Sequence, residues 1–207
     1  MAETDDYLRA LVEEIHSTTV ATIAADGHPQ TRIIDMMLWD DRGVYFLTAR
    51  GKEFYRQLME QGYVAISGVA HKKSVSLRGR VTNIGSEHLD EMFEANPYMK
   101  EIYPGDTRAA LDVFRVHDAE GEFFDISDPS HVVRGSFAIG AAHVAEGGYA
   151  IGPACVGCGS CLEVCPQSCI DVSEAPAVID QHRCLHCGAC VEACPEGAIA
   201  RRAPRVA

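Results

Sequence analysis

"CVGCGSCLEVCPQSC" runs from Cys155 to Cys169, and "CLHCGACVEACPEGA" repeats it from Cys184 to Ala198, 29 positions further on. Both copies read C-x2-C-x2-C-x3-C-P. All nine cysteines of the 207-residue chain lie between Cys155 and Cys194, behind a long stretch that has none. Each copy is too short to bury a core with its own side chains. Whatever organises this segment must therefore be gathered by its sulfurs.

Composition narrows the rest. With 47% hydrophobic and 23% charged residues the chain has the makings of a globular core. A net charge of −12 argues against a nucleic-acid binder, which usually presents a basic face. The acidity is uneven: residues 1–152 hold 24 Asp/Glu against 14 Lys/Arg, and residues 153–207 hold 6 against 4. The start, "MAETDDYLRALVEEIHS", is acidic and amphipathic, unlike the basic-then-apolar pattern of a secretory signal. No apolar run approaches the ~18 residues that cross a bilayer. The expectation is a cytoplasmic protein without membrane or nucleic-acid partners, in a compartment that keeps thiols reduced. Nine clustered cysteines in that setting point to metal rather than disulfides.

The spacing selects the metal. Three thiolates within seven residues can wrap one face of a compact inorganic cluster, with backbone N–H groups free to bond its sulfides. Structural zinc takes two ligands from each of two separated knuckles, which leaves the third close cysteine without a task. The four-cysteine run ending in proline resembles the two-cluster bacterial ferredoxins over about residues 148–200. "PAVIDQHRC", ahead of the second copy, is similar to the strand that precedes it there. The resemblance implies two 4Fe-4S clusters, with each fourth cysteine serving the other cluster. One would be held by Cys155, Cys158, Cys161 and Cys194, and the other by Cys184, Cys187, Cys190 and Cys165. Cys169 aligns with Ala198 and reads as a small buried thiol. His186, inside "CLHC", reads as a neighbour of the site rather than a ligand.

Ahead of the cysteines the pattern is mostly strands. Residues 4–16 have helical spacing at Leu8, Leu11, Val12 and Ile15. Strand-like runs follow: "TTVATIAA", "QTRIIDMMLW" and "VYFLTA", separated by "DGHP" and "DDRG". "GKEFYRQLMEQG" is helical and closes on Gly62. "YVAISGVAH" and "KSVSLRGRVTNI" flank a short basic turn, and the second alternates cleanly. A helical stretch at about 86–103 precedes "LDVFRVHDA", "GEFFDIS" and "VVRGSFAIG" as closing strands. Many short strands with turn signals predict a closed or nearly closed antiparallel barrel flanked by helices. The organisation expected is a barrel domain over residues 1–140, a linker over 141–147 and a metal-binding domain over 148–207, ending in a solvated "RRAPRVA" tail.

For the barrel's ligand, neither G-x-G-x-x-G after a strand nor G-x4-G-K-[ST] is present, so nucleotide binding through those motifs has no support. "FLTARGKEFYRQL" offers something else. A strand ending near Thr48 leads into a helix beginning near Gly51, whose first-turn N–H groups, with Arg50 and Lys52 beside them, would attract a phosphate. Read alone, the segment fits equally a turn with solvated basic residues.

In its context the order of elements from "ATIAADGHPQTRIIDMM" to "KSVSLRGRVTNI" resembles the pyridoxamine 5′-phosphate oxidase-like FMN-binding split barrels, over about residues 8–139. That family implies an α+β, mainly β fold: a split β-barrel with flanking helices, followed here by a small α+β ferredoxin-like domain. It implies FMN, its phosphate held by Arg32, Thr48 and Lys52, with Arg50 as a further candidate. The second-strand backbone at Ile33, Ile34, Asp35 and Met36 would run beside the isoalloxazine ring. Ser74 stands where the family often has a flavin-contacting Gln. Some split barrels bind deazaflavin or haem instead; the phosphate-site residues favour FMN. The family also implies a homodimer with flavin near the interface.

Family members that oxidise pyridoxamine phosphate carry substrate-binding residues in a C-terminal part that is a cysteine repeat here, so that substrate is not expected. Trp39 reads as core or dimer interface, and His71 as a solvated turn residue. Tyr98 and Tyr103 fall in "NPYMKEIYPGD", which reads as a loop. The combined expectation is a flavin and iron–sulfur oxidoreductase with an external redox partner and a small-molecule substrate that no motif specifies. The alternative is an electron carrier or redox-responsive protein without a substrate of its own.

Overall fold

The structure, a computed structural model, describes residues 2–144 and 147–202. The chain divides into two compact units, residues 1–122 with 137–144 and residues 123–136 with 145–207. The sequence linker falls partly outside the described residues at 145–146, and the tail at 203–207.

The first unit begins with α1 (Ala2–Arg9), which continues as a π-type turn over Ala10–Ile15. Leu8, Leu11, Val12 and Ile15 are buried, as their spacing requires. The turn ends at His16, whose N–H reaches back five residues to the Leu11 carbonyl at 2.9 Å and whose φ is +60°. Then come β1 (Ser17–Ile23), β2 (Pro29–Asp35), β3 (Leu38–Asp40) and β4 (Gly43–Ala49).

The run "QTRIIDMMLW" predicts one strand, but the structure makes two. β2 pairs with β1 whereas β3 pairs with β4. At the change of partner Met36 and Met37 turn inward, their N–H groups bonding the carbonyls of His16 and Tyr45 at 2.8 and 2.9 Å.

Next are α2 (Glu53–Gln61), capped by Gly62 in the left-handed region, β5 (Tyr63–Ala70) and β6 (Lys73–Gly85). The helical stretch that follows resolves into α3 (Leu89–Ala95) and α4 (Met99–Ile102), and a 3₁₀ turn leads to β7 (Leu111–Asp125) and β8 (Val133–Ile139). The two strands expected over 111–127 are one. Asp118 takes a positive φ of 42° in mid-strand, and the chain bends there without leaving the sheet. A close approach accompanies the bend: a Cβ on Gly79 would stand 2.4 Å from that of Ala119, so only glycine fits.

The sheet order is β2-β1-β5-β6-β7-β4-β3, with β8 on β7. β2 and β3 are consecutive in the chain yet stand at opposite ends of that order, so the kink at Met36–Met37 draws the two ends together. This is the expected split barrel. β4 is buried along almost its whole length, Phe46 stacks on Phe54 of α2 and Phe114 of β7, and α3 and α4 pack Met92, Phe93 and Met99 against Tyr45, Leu47 and Leu111.

The second unit shows the repeat in three dimensions. β9 (Tyr149–Ile151), α5 (Ser160–Glu163) and β10 (Ile170–Asp171) are followed by β11 (Val178–Ile179), α6 (Ala189–Glu192) and β12 (Ile199–Arg201). β10 pairs with β11, and β12 returns to β9. Gly159 and Gly188, both at φ +82°, start the two short helices. The core consists mainly of cysteines with Ile170, Ile179 and Ile199, which is little apolar mass for a domain.

Candidate functional site

Each unit carries one kind of site. In the second, the cysteines border two cavities. The first cavity is lined by Cys155, Cys158, Cys161 and Cys194. The second is lined by Cys165, Cys184, Cys187 and Cys190, with Cys169 beside them. The first therefore takes three sulfurs from one repeat and a fourth from the other, and the second takes three from one repeat and two, Cys165 and Cys169, from the other. The pairing of β12 with β9 carries the chain end back across the first repeat and brings Cys194 to it.

A tetrahedral zinc would need its sulfurs about 3.8 Å apart around one point. Among the described residues no three Cys, His, Asp or Glu side chains converge on a single ion. The sulfurs instead surround two hollows, and backbone N–H groups point at them: His186 N–H at Cys184 Sγ, 3.4 Å, and Ala198 N–H at Cys194 Sγ, 3.3 Å. The fit is to a polynuclear cluster.

Cys169 is buried, as expected, but it also borders the second cavity with its sulfur 3.5 Å from Cys165 Sγ. Burial, then the neighbouring Cys165 and Cys184, push its thiol pKa well up.

In the first unit the anchor is Arg32. Its Nη1 donates to Thr22 Oγ1 at 2.6 Å and to the Gln30 carbonyl at 3.3 Å, and its Nη2 donates to Gln57 Oε1 at 2.9 Å. Gln57, buried on α2, is held in turn by Thr22 and Gln30. The guanidinium lies 4.4 Å over the Phe54 ring in the first turn of α2. No carboxylate pairs with it among the described residues, and partial burial lowers its pKa. Three of its five donors are used, which leaves a cation aimed but not neutralised. Thr22, Gln30 and Gln57 were not legible as site residues: a threonine and two glutamines carry no motif, and only the fold makes them a cradle.

Thr48 lies next to the last residue of β4, a short turn before α2, and its hydroxyl oxygen is buried without a hydrogen-bond partner. A buried hydroxyl left unmade costs about 1–3 kcal/mol, so its persistence beside a helix start suits an acceptor-rich ligand such as phosphate. Lys52, exposed, immediately precedes α2. Arg50 is turned elsewhere: it bonds Asp112 Oδ1 at 2.7 Å and the Ala109 carbonyl. Asp112 also accepts from Tyr55 and Asn83 at 2.7 and 2.9 Å.

Of the second-strand residues, Ile34 faces inward with Arg32, its carbonyl accepting from Thr18 Oγ1 at 3.0 Å. Met36 is fully buried at the kink. Ile33 and Asp35 face the other side. Ser74 is on that side too, opposite Val69 in the β5–β6 register, and is not brought to Arg32. Trp39 is half-buried and donates to Glu13 at 3.3 Å. His71 takes a positive φ of 50° in the β5–β6 turn.

The stretch read as a loop holds more than a loop. Tyr98 Oη donates to Asp35 Oδ2 at 2.6 Å, His16 Nε2 lies 3.2 Å from the same hydroxyl, and Ser17 Oγ donates to Asp35 Oδ1 at 2.6 Å. Burial, then the hydrogen bond to Asp35, raises the Tyr98 pKa. Burial alone would raise Asp35, yet Ser17, Tyr98 and nearby His16 outweigh it and leave its pKa lowered.

Comparison with known proteins agrees with both halves. Residues 4–124, more than half of the chain, match the family model described as pyridoxamine 5′-phosphate oxidase, and residues 154–198 match a 4Fe-4S dicluster domain. A pyridoxine/pyridoxamine 5′-phosphate oxidase of Herminiimonas arsenicoxydans is 28% identical over 100 residues, 47% of each chain. One of Paracidovorax citrulli is 31% identical over 99 residues, 47% of this chain and 44% of that protein. The chain thus matches about half the length of these curated relatives. A NimC/NimA family protein of Clostridium acetobutylicum superposes with a TM-score of 0.53 at 21% identity, covering 66% of this chain and 100% of that one. That likeness is one of fold.

Proposed function

Because the chain belongs to the pyridoxamine 5′-phosphate oxidase family and carries a 4Fe-4S dicluster domain, we propose that it is a flavin- and iron–sulfur-dependent oxidoreductase. It passes electrons between an external donor or acceptor, two 4Fe-4S clusters and FMN, and reduces a small organic molecule. The observation that carries this reading is the exchange of the fourth cysteine between repeats, which borders each cavity with at least four sulfurs. Bound clusters exchange single electrons, and bound FMN collects them in pairs.

The chain's own residues do the rest. Cys155, Cys158, Cys161 and Cys194 hold one cluster, and Cys165, Cys184, Cys187 and Cys190 the other. Arg32, positioned by Thr22 and Gln57, offers its unused N–H groups to the FMN phosphate. Thr48 Oγ1 supplies the hydroxyl that is otherwise left without a partner, and Lys52 adds charge at the start of α2. The backbone of Ile33 to Met36 flanks the ring. Tyr98 holds a proton at Oη between Asp35 and His16, beside that backbone, where a reduced substrate needs one.

The protein acts as a homodimer. The face of β2, β1 and β5 that carries Ile33 (66% exposed) and Val69 (70% exposed) also carries Ala21, Ala65 and Ser67, bordered on β6 by Arg78 opposite Ala65, an open surface suited to a second copy. We place it in the cytoplasm, where cysteines that form no disulfide stay reduced. Among the described residues no helix is long and apolar enough to cross a membrane.

The test is anaerobic purification followed by a spectrum, iron and flavin assays, and mixing of the dithionite-reduced protein with nitroaromatics, quinones and enones. The proposal expects about eight irons per chain, flavin bands beside a broad cluster shoulder, and reoxidation by at least one acceptor class. A shoulder without flavin would mean an empty barrel. Full cofactor content with uniform inertness would favour an electron carrier.

A further inference from the structure

The two cavities are related by the 29-residue repeat, so adding 29 to a residue number in the first copy gives its counterpart in the second. Backbone N–H groups point at sulfurs of both cavities, Ala198 N–H at Cys194 Sγ of the first and His186 N–H at Cys184 Sγ of the second. The side chains are not the same. At the second cavity Gln167, neutral, takes the place that Glu196 has at the first. Arg183, before Cys184, replaces Ala154, before Cys155, and its Nη2 donates to the Gln167 carbonyl at 2.9 Å, which ties the cation to that cavity's wall. Cys169, 3.5 Å from Cys165 Sγ, replaces the methyl of Ala198 with a thiol that can donate. Three changes thus act in one direction: a cation gained, an anion absent, a donor gained. One acts against them, since Ser160 Oγ lies 3.5 Å from Cys158 Sγ at the first cavity where Ala189 stands at the second. Glu196 is exposed and its effect is screened, but it lines the first cavity together with Cys158 and Cys194.

A cluster held by four thiolates is anionic and becomes more so on reduction. Nearby positive charge and hydrogen bonds to its sulfurs favour the reduced form, and nearby negative charge opposes it. We infer that the two cluster sites are inequivalent, and that the site of Cys165, Cys184, Cys187 and Cys190, tuned by Cys169, Arg183 and Gln167, has the higher reduction potential, so that electrons shared by the pair settle there. The inference rests on the cluster reading above.

The experiment is a potentiometric titration of the anaerobic holoprotein followed by electron paramagnetic resonance, with iron counted in every sample. The wild type should show two one-electron waves. Cys169→Ala and Arg183→Ala should each move the upper wave to lower potential and leave the lower wave in place, whereas Cys169→Ser and Arg183→Lys keep most of the separation. Glu196→Gln, an exposed change that leaves packing intact, should raise the lower wave alone. Where Cys169→Ala disturbs cluster retention, Arg183→Ala reads the same site. A shift of the lower wave by Cys169→Ala or Arg183→Ala, a shift of the upper wave by Glu196→Gln, or coincident wild-type waves would overturn the inference while about eight irons per chain leave the cluster reading standing. A wild type without iron would overturn both.

Discussion

Tyr98 Oη donates a 2.6 Å hydrogen bond to Asp35 Oδ2 across 63 residues of sequence, and His16 Nε2 stands 3.2 Å from the same hydroxyl. Three elements meet there: the end of the π-type turn, the end of β2 and the start of α4.

The contact has a pH signature. The folded Asp35 pKa is lowered, the hydrogen bonds from Ser17 and Tyr98 outweighing the opposing effect of burial. The stability it contributes is therefore present above the unfolded carboxylate value of about 4 and is lost as pH falls through the lower folded value. Tyr98→Phe should lower stability by about 1 kcal/mol near pH 7, and by much less near pH 2. Thermal unfolding at both pH values checks this. An equal loss at both would mean that packing, not the charged carboxylate, is what the phenol supports.

Thr48 offers a sharper test, because its buried hydroxyl oxygen has no partner in the ligand-free chain. Thr48→Val keeps the shape and removes the unpaired group, so the apoprotein should be as stable as the wild type or up to about 1 kcal/mol more stable. FMN affinity should nevertheless fall about tenfold. Arg32→Ala should weaken FMN more, by about 10–100-fold, with iron content unchanged. Fluorescence titration of the apoprotein with FMN measures both. Unchanged affinity in the two variants would move the phosphate elsewhere.

Cys194→Ala discriminates crossed from local ligation. Cys194 borders the cavity of Cys155, Cys158 and Cys161, so its loss should remove the cluster of the first repeat and leave the one bordered by Cys184 and its neighbours. Iron should fall from about eight to about four per chain. Combining Cys194→Ala with Cys155→Ala should cost no further iron, and loss of the remaining iron would contradict the crossing.

Ile33 is 66% exposed, so Ile33→Asp removes no packing from the single chain. Its folding stability should change by no more than about 0.5 kcal/mol. If the open sheet face is the dimer contact, sedimentation should show a monomer, with weaker FMN retention. A variant that remains dimeric would place the contact on another face.

Much of this was legible without coordinates. The cysteine spacing announces its chemistry because short spacers confine three thiolates to one side of a turn, a constraint that acts along the chain. The strand-and-turn rhythm gave the barrel for a similar local reason. The errors came where an element changes partner. Nothing local distinguishes Met36–Met37 from the middle of an apolar strand, and only the switch from β1 to β4 breaks it. Asp118 reads as a strand end, yet pairing continues past it. Arg50 and Lys52 look alike as phosphate candidates until Asp112, 62 residues on, claims Arg50.

By itself the sequence determined the metal chemistry, the doubled arrangement and the class of barrel, because each is written in the spacing of residues close together in the chain. The tertiary structure alone decided that Gln57 and Thr22 hold Arg32, that Tyr98 meets Asp35, and that Cys169 and Arg183 attend one cavity while Glu196 attends the other. Those are encounters between distant segments, set by strand register and by the return of the last strand, and no local periodicity encodes them.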